Sequence, residues 1–282
     1  MSDALVQIDQ LKAVARRIRR EIAEISIVTG GHIASSYSCL EILLALYQAG
    51  VMRVRPHQPD WPQRDRFILS KGHAETALYV VLADLGFFPC EWLSAYYRAG
   101  DHRLGGHPDR SIPGVEMTTG ALGHGLGVAA GLALAARMDG QPQRHYVLMG
   151  DAECAEGSIW EAGMFAAQHQ LGNLIGIVDR NRIGASDFTD NFIGLGSLVD
   201  KWRAFGWETE VCDGHDFAAL IRRLRYAAQR ETTTPFMLIA ETVKGKGVSF
   251  MENDPMWHVK RLADADEIRQ AREELADGGD DE

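Results

Sequence analysis

The chain has 282 residues, of which 46% are hydrophobic and 24% charged, with a formal net charge of −10. This length can bury a substantial core, and the acidic balance excludes a surface built to follow a nucleic-acid backbone, which needs a basic excess. It does not exclude a phosphorylated ligand, because a metal, helix N-termini and a few basic side chains hold an anion locally.

The first pattern is helical, over roughly 4–28, and a second helix is read over 38–49. RFILS at 66–70 is a weak strand signal, followed by helical patterns over 74–85 and 125–138. HYVLMG at 145–150 is a strong strand signal, then come a helix over 156–170 and a second strong strand, LIGIVD at 174–179. ETEVCD at 208–213 is weaker; a helix over 216–230 and the strand FMLIAET at 236–242 complete the series. From about 263 the sequence reads as a charged helix ending in a frayed acidic terminus.

The strong strands are short apolar runs without alternation, as expected where helices cover both sheet faces. Alternation of strand and helix predicts an α/β fold, a doubly wound parallel sheet flanked by helices on both faces, in a single domain over 1–282. Ligands of such sheets sit beyond the carboxyl ends of the strands. The loops at 70–73, 150–157, 179–187 and 242–258 are therefore the places for chemistry. No run of about 18 apolar residues reads as a membrane span, and the opening residues lack the apolar stretch of a secretory signal. Cys39, Cys90, Cys154 and Cys212 are dispersed without a CxxC pair, so the expectation is reduced thiols in a bacterial-type cytoplasm.

Two pieces stand out at that rim. Met149-Gly150-Asp151-Ala152-Glu153 follows one buried strand, and Asp179-Arg180-Asn181-Arg182-Ile183 follows the next. A carboxylate and an amide oxygen held together suit Mg²⁺, which prefers oxygen ligands and shares them with phosphates. Read singly, Asp151 is better taken as a helix cap and Asn181 as a turn former, and it is as a pair on consecutive strand ends that they point to a metal. Spacing alone leaves the two readings level.

The pair resembles the thiamine-diphosphate motif, and the rest of the chain is similar to the transketolase family. The stretches that carry the resemblance are Gly31-His32, RDRFILSKGHAETALY at 64–79, GGHPDRSIPGVEMTTGALGHGLGVAAGLA at 105–133 and KGKGVSFMENDPMWH at 244–258. The resemblance implies that Asp151, Asn181 and the main-chain oxygen of Ile183 hold a divalent metal, Mg²⁺ or in its place Ca²⁺ or Mn²⁺. Gly150 and Ala152 then belong to the diphosphate loop, and His73 and His258 contact the diphosphate or the reaction centre. His32, His73, His107 and His258 line the substrate channel as catalytic groups. Gly120 and Leu122 approach the aminopyrimidine, and Glu156 lies at the interface between cofactor sites.

His57, His102, His145, His169 and His215 read as structural, while His124 reads as a cofactor contact or a helix cap. Lys244 and Lys246 read equally as phosphate neutralisers and as solvated loop residues. Two departures from the family pattern are Ala152, where a third glycine is usual, and the arginines Arg180 and Arg182 flanking Asn181. An alanine forced to positive φ would be strained.

The implied activity is transfer of a two-carbon ketol unit from a ketose, or ketose phosphate, to an aldose, in carbohydrate metabolism of the pentose phosphate type. The pyrimidine-binding and C-terminal domains of the family have no counterpart here. The resemblance therefore implies a partner, the C-terminal transketolase subunit, with two copies of each chain. Alternatives are a relative specialised for a sulfonated, deoxy or branched sugar, a deoxyxylulose-phosphate-synthase-like enzyme, the decarboxylating component of a 2-oxo-acid dehydrogenase, or a non-catalytic scaffold.

Overall fold

In the computed structural model, which describes residues 2–276, five strands form one parallel sheet. They are β1 (Arg66–Leu69), β2 (His145–Gly150), β3 (Leu174–Arg180), β4 (Glu208–Asp213) and β5 (Phe236–Glu241), in the order β1-β2-β3-β5-β4. The helices are α1 (Ser2–Thr29), α2 (Ile33–Ser38), α3 (Leu40–Tyr47), α4 (Glu75–Asp84), α5 (Gly125–Met138), α6 (Gly157–Gln168), α7 (Thr189–Phe192), α8 (Leu198–Ala204), α9 (Phe217–Gln229) and α10 (Ala265–Glu274).

Strand side chains alternate between faces, so each apolar run feeds two cores. Phe67, Leu69, Tyr146, Leu148, Ile175, Ile177, Phe236 and Leu238 pack with α1 to α4 and α9. Ile68, Val147, Met149, Val178, Met237 and Ile239 pack with α5, α6 and α8. Both faces are covered, which is why these strands read as unbroken apolar runs.

All five strands lie where the sequence places them, within one residue at each end. The helix expected over 38–49 is α3, and it is preceded by α2, which the sequence did not offer. IASSYS is poor in helix formers; burial of all six residues holds α2 in place. The short α8 is anchored by Trp202, which is completely buried. The charged helix at the end is α10, capped by Asp264, which accepts from the N–H groups of Asp266 and Glu267. Arg272 of α10 pairs with Glu24 of α1 at 2.7 Å. The acidic terminus over 277–282 lies outside the described residues. Among the described residues no helix is long and apolar enough to cross a membrane.

Register sets up the site. Gly150 pairs with Asp179, and Asp179 with Ala240, so the residues that follow leave the sheet at one level. Asp151, Asn181 and Thr242 thus share a rim, with Ser70 and Lys71 beyond β1.

Candidate active site

The two pieces of the proposed metal motif touch. Asp151 is buried; its Oδ1 accepts from Ala152 N at 2.8 Å and its Oδ2 from Arg182 N at 2.6 Å. Asn181, also buried, accepts from Ile183 N through Oδ1 at 3.1 Å. Arg182 adopts φ +64, and this left-handed residue turns its N–H onto Asp151. No Lys or Arg forms an ion pair with Asp151 among the described residues. Burial, with a further push from Asp179, raises its carboxyl to about 6. A buried carboxylate beside an amide oxygen and a main-chain oxygen, with only N–H partners of its own, fits a hard cation. Among the described residues no cluster of three His, Cys, Asp or Glu is placed to hold a metal unaided.

The flanking arginines point elsewhere. Arg180 and Arg182 both pair with Glu241 at the end of β5, at 2.9 and 3.0 Å. Ala152 is absent from the residues with positive φ; it opens a 3₁₀ turn, Ala152–Ala155, where alanine is unstrained. Neither departure from the family pattern distorts the rim.

Two acidic residues without an assigned role bind the rim loops together. Asp179, completely buried, takes an ion pair from Lys71, a bond from Thr242 Oγ1 and a 2.6 Å bond from Ser38 Oγ. Burial opposes both charges of this pair most strongly, but the partner together with the surrounding groups outweighs it: Asp179 is held below and Lys71 above its ordinary value. Glu153 accepts from Ser70 Oγ, from Gly123 N at 2.9 Å and from Gly150 N at 3.0 Å. It therefore joins the ends of β1 and β2 to the glycine-rich loop before α5.

Three of the four expected histidines form one cluster. The rings of His32, His73 and His258 stand 5.2, 5.3 and 5.4 Å apart, centroid to centroid. They come from the α1–α2 turn, the loop after β1 and the loop after β5. His107 shares a cavity with His32. Its carbonyl accepts from Tyr79 Oη at 2.7 Å, and its ring lies against Gly120, where a Cβ would stand 2.9 Å from Cδ2. Leu122 is half-buried in the same loop, and Glu156 is exposed at the start of α6.

Lys244 connects the cluster to the rim. Its buried Nζ lies 2.6 Å from His258 Nδ1 and donates to the carbonyls of Ile183 and Gly184 at 3.3 and 3.2 Å. With Lys244 donating, the His258 proton sits on Nε2. Burial, reinforced by Lys71, lowers Lys244 to about 7. Burial and neighbouring cations also push His32 down to about 4, His258 to about 3, and His73 well below its ordinary value. At neutral pH these imidazoles are uncharged, each with one donor and one acceptor nitrogen.

Residues 10–280 match the family described as "Transketolase, thiamine diphosphate binding domain". The chain belongs to the transketolase family. It is 43% identical over 254 residues to an apulose-4-phosphate transketolase subunit of Phocaeicola vulgatus, covering 90% of this chain and 89% of that one. Its identity to a 6-deoxy-6-sulfo-D-fructose transketolase subunit of Clostridium sp. is 41%, covering 94% of each. The solved transketolase of Campylobacter jejuni superposes with a TM-score of 0.85 at 28% identity, covering 96% of this chain and 43% of that one. The chain thus spans about two fifths of that solved transketolase and most of the relatives named as subunits.

Within this transketolase frame, sequence reasoning left several rim residues unassigned. Lys71 and Asp179 lie inside stretches already singled out, and only their mutual burial reveals the pair. Glu153 was visible in the motif, yet its three bonds come from loops far apart in sequence. His215, read as structural, accepts from Val243 N at 2.9 Å and faces Glu41 at 3.0 Å, which tethers the loop carrying Lys244. His124 occupies the N-cap of α5 but makes no capping bond with its side chain.

Proposed function

We propose that this chain is the diphosphate- and metal-binding subunit of a two-chain transketolase that moves a two-carbon ketol unit from a ketose to an aldose. The observation that carries this reading is the Lys244 bridge. A single buried amine joins a cluster of three neutral imidazoles to the oxygen-lined rim of Asp151, Asn181 and Ile183. Anion binding and sugar chemistry are thereby built side by side.

In this reading Asp151, Asn181 Oδ1 and the Ile183 oxygen would hold Mg²⁺, or Ca²⁺ or Mn²⁺, and with it the diphosphate. Thiamine diphosphate, when bound, supplies the nucleophile and electron sink for cleaving the bond beside the ketose carbonyl. Lys244 and the Lys71–Asp179 pair lie beside the rim. His32, His73, His107 and His258 hold or move protons at sugar hydroxyls, a task for which an imidazole offers one donor and one acceptor nitrogen. Gly120 and Leu122 would lie along the aminopyrimidine, and the exposed Glu156 would meet the interface between cofactor sites.

The partner is a C-terminal transketolase subunit supplying the acid that activates the pyrimidine, in a cytoplasmic assembly with two copies of each chain. Support comes from relatives of nearly the same length that are themselves named as subunits. Those names, for apulose 4-phosphate and 6-deoxy-6-sulfo-D-fructose, also favour a specialised sugar substrate. The test is calorimetric titration of the chain, co-purified with its partner, with thiamine diphosphate. Binding that requires a divalent metal supports the reading. Absence of heat with and without Mg²⁺ would return the chain to a scaffolding role.

A further inference from the structure

The cavity beside His32 and His107 holds a group that the reading above leaves unused. Glu75, the first residue of α4, lines it with Gly30, Gly31, Tyr96 and Gly106. Glu75 is 0% exposed and has no basic partner among the described residues. Its Oε1 accepts from Tyr96 Oη, and from Thr76 Oγ1 at 3.3 Å. Its Oε2 is buried without a hydrogen-bond partner among the described residues. Leaving a buried oxygen unpaired is costly, and native proteins keep few of them without a reason.

The chemistry of the cavity narrows what would satisfy that oxygen. Burial pushes the Glu75 carboxyl up to about 8, against the bonds from Tyr96, the backbone and Thr76. Near neutral pH the group is mostly a carboxylic acid and can donate as well as accept. Next to it stand a phenol hydroxyl and imidazoles. Such a mixed set of donors and acceptors matches a polyhydroxylated molecule. It opposes an anion, since a phosphate or sulfonate would meet a group that becomes negative as it ionises. Space is kept open by Gly31, at φ +117, where a Cβ would stand 3.2 Å from Tyr96 Oη.

We propose that Glu75, oriented by Tyr96, is a specificity-determining residue that hydrogen-bonds an uncharged hydroxyl of the sugar held against His32 and His107. The acidic substituent of the sugar must then lie away from this cavity. The inference rests on the ketol-transfer reading and adds to it which end of the sugar meets α4.

The test uses the two-chain enzyme loaded with thiamine diphosphate and Mg²⁺. The donors are xylulose 5-phosphate, sedoheptulose 7-phosphate and fructose 6-phosphate, sugars found bound in solved yeast relatives. For the best donor, Glu75→Gln keeps a donor and an acceptor, and kcat/KM should stay within about threefold of the parent. Glu75→Leu removes both and should lower kcat/KM about tenfold or more, chiefly through KM. Cofactor affinity, read by tryptophan fluorescence, should be unchanged in both. Equal kcat/KM in the parent and Glu75→Leu overturns the proposal. So does a Glu75→Gln variant impaired as much as Glu75→Leu.

If Glu75→Leu does not fold, Tyr96→Phe carries the test. A loss of about threefold or more in kcat/KM with Tm maintained supports the proposal; a lower Tm with kcat/KM intact overturns it. A parent enzyme that binds cofactor yet turns over none of the three sugars, nor apulose 4-phosphate or 6-deoxy-6-sulfo-D-fructose, the sugars named for its relatives, contradicts the ketol-transfer reading and this inference with it. Turnover that ignores Glu75 and Tyr96 contradicts the inference alone.

Discussion

Asp151 is a buried carboxylate whose partners are backbone N–H groups of Ala152 and Arg182. If it holds a metal, Asp151→Ala removes the only formal charge among the protein ligands. Metal-dependent affinity for thiamine diphosphate should fall by more than roughly 10²-fold, while the circular dichroism spectrum stays that of the parent. Unchanged affinity would refute the assignment. His107→Ala and His258→Ala should each lower turnover about 10²- to 10⁴-fold, with little change in Tm. A lowered Tm with turnover per folded molecule preserved would make these histidines structural.

Glu75 also has a signature in stability. Burial raises its carboxyl from 4.5 to about 8, so the folded chain binds this proton more tightly than the unfolded chain does. Below pH 4.5 both states are protonated and nothing is lost. As pH rises through that window the unfolded chain ionises first, so stability falls until about pH 8. Glu75→Gln, which cannot ionise, should therefore raise Tm by a few °C at pH 8.5 and by much less at pH 5.5. A Tm difference independent of pH would contradict the burial argument. Glu75 sits within the quoted motif SKGHAETALY, but only the fold shows that one of its oxygens is left without a partner.

At the scale of elements, the strands were legible because burial on both faces writes them as apolar runs. The rim loops were legible as places for chemistry because parallel strands end together. What holds those loops was not legible, since the contacts of Lys71 with Asp179 and of Ser70 with Glu153 join residues 108 and 83 apart in sequence. The buried Lys71–Asp179 pair gives an element-scale prediction. Lys71→Met strands a buried carboxylate and should cost about 3–5 kcal/mol in urea unfolding. Asp179→Asn should add much less in the Lys71→Met background than alone, because the two share one interaction. Additive losses would show that the pair does not join the loops. The missed α2 has the same cause as the missed contacts: its helix is set by tertiary burial rather than by propensity.

Across the whole molecule, exposed apolar side chains gather on the outer faces of α5 and α6. Val128 and Leu132 on α5, and Met164 and Phe165 on α6, are all exposed. Met164 and Phe165 lie in the stretch 156–170, whereas Ile112 and Val115, in 105–125, are buried. Trp160 stacks on Phe205 at 5.5 Å and belongs to the core instead. Burying one such side chain contributes about 1.5–3 kcal/mol, so Phe165→Asp should weaken assembly by tenfold or more in sedimentation, with the Tm of the isolated chain unaltered. Unaltered association would move the interface to another face.

The division of labour between two chains is the central claim, and activity on reconstitution tests it most directly. Ketol transfer is to be assayed with thiamine diphosphate and Mg²⁺ for this chain alone, for its partner alone, and for the two mixed. The account predicts no transfer by either chain and transfer that saturates when the two are equimolar. Full transfer by this chain without a second polypeptide, or none by the mixture although cofactor is bound, would contradict it.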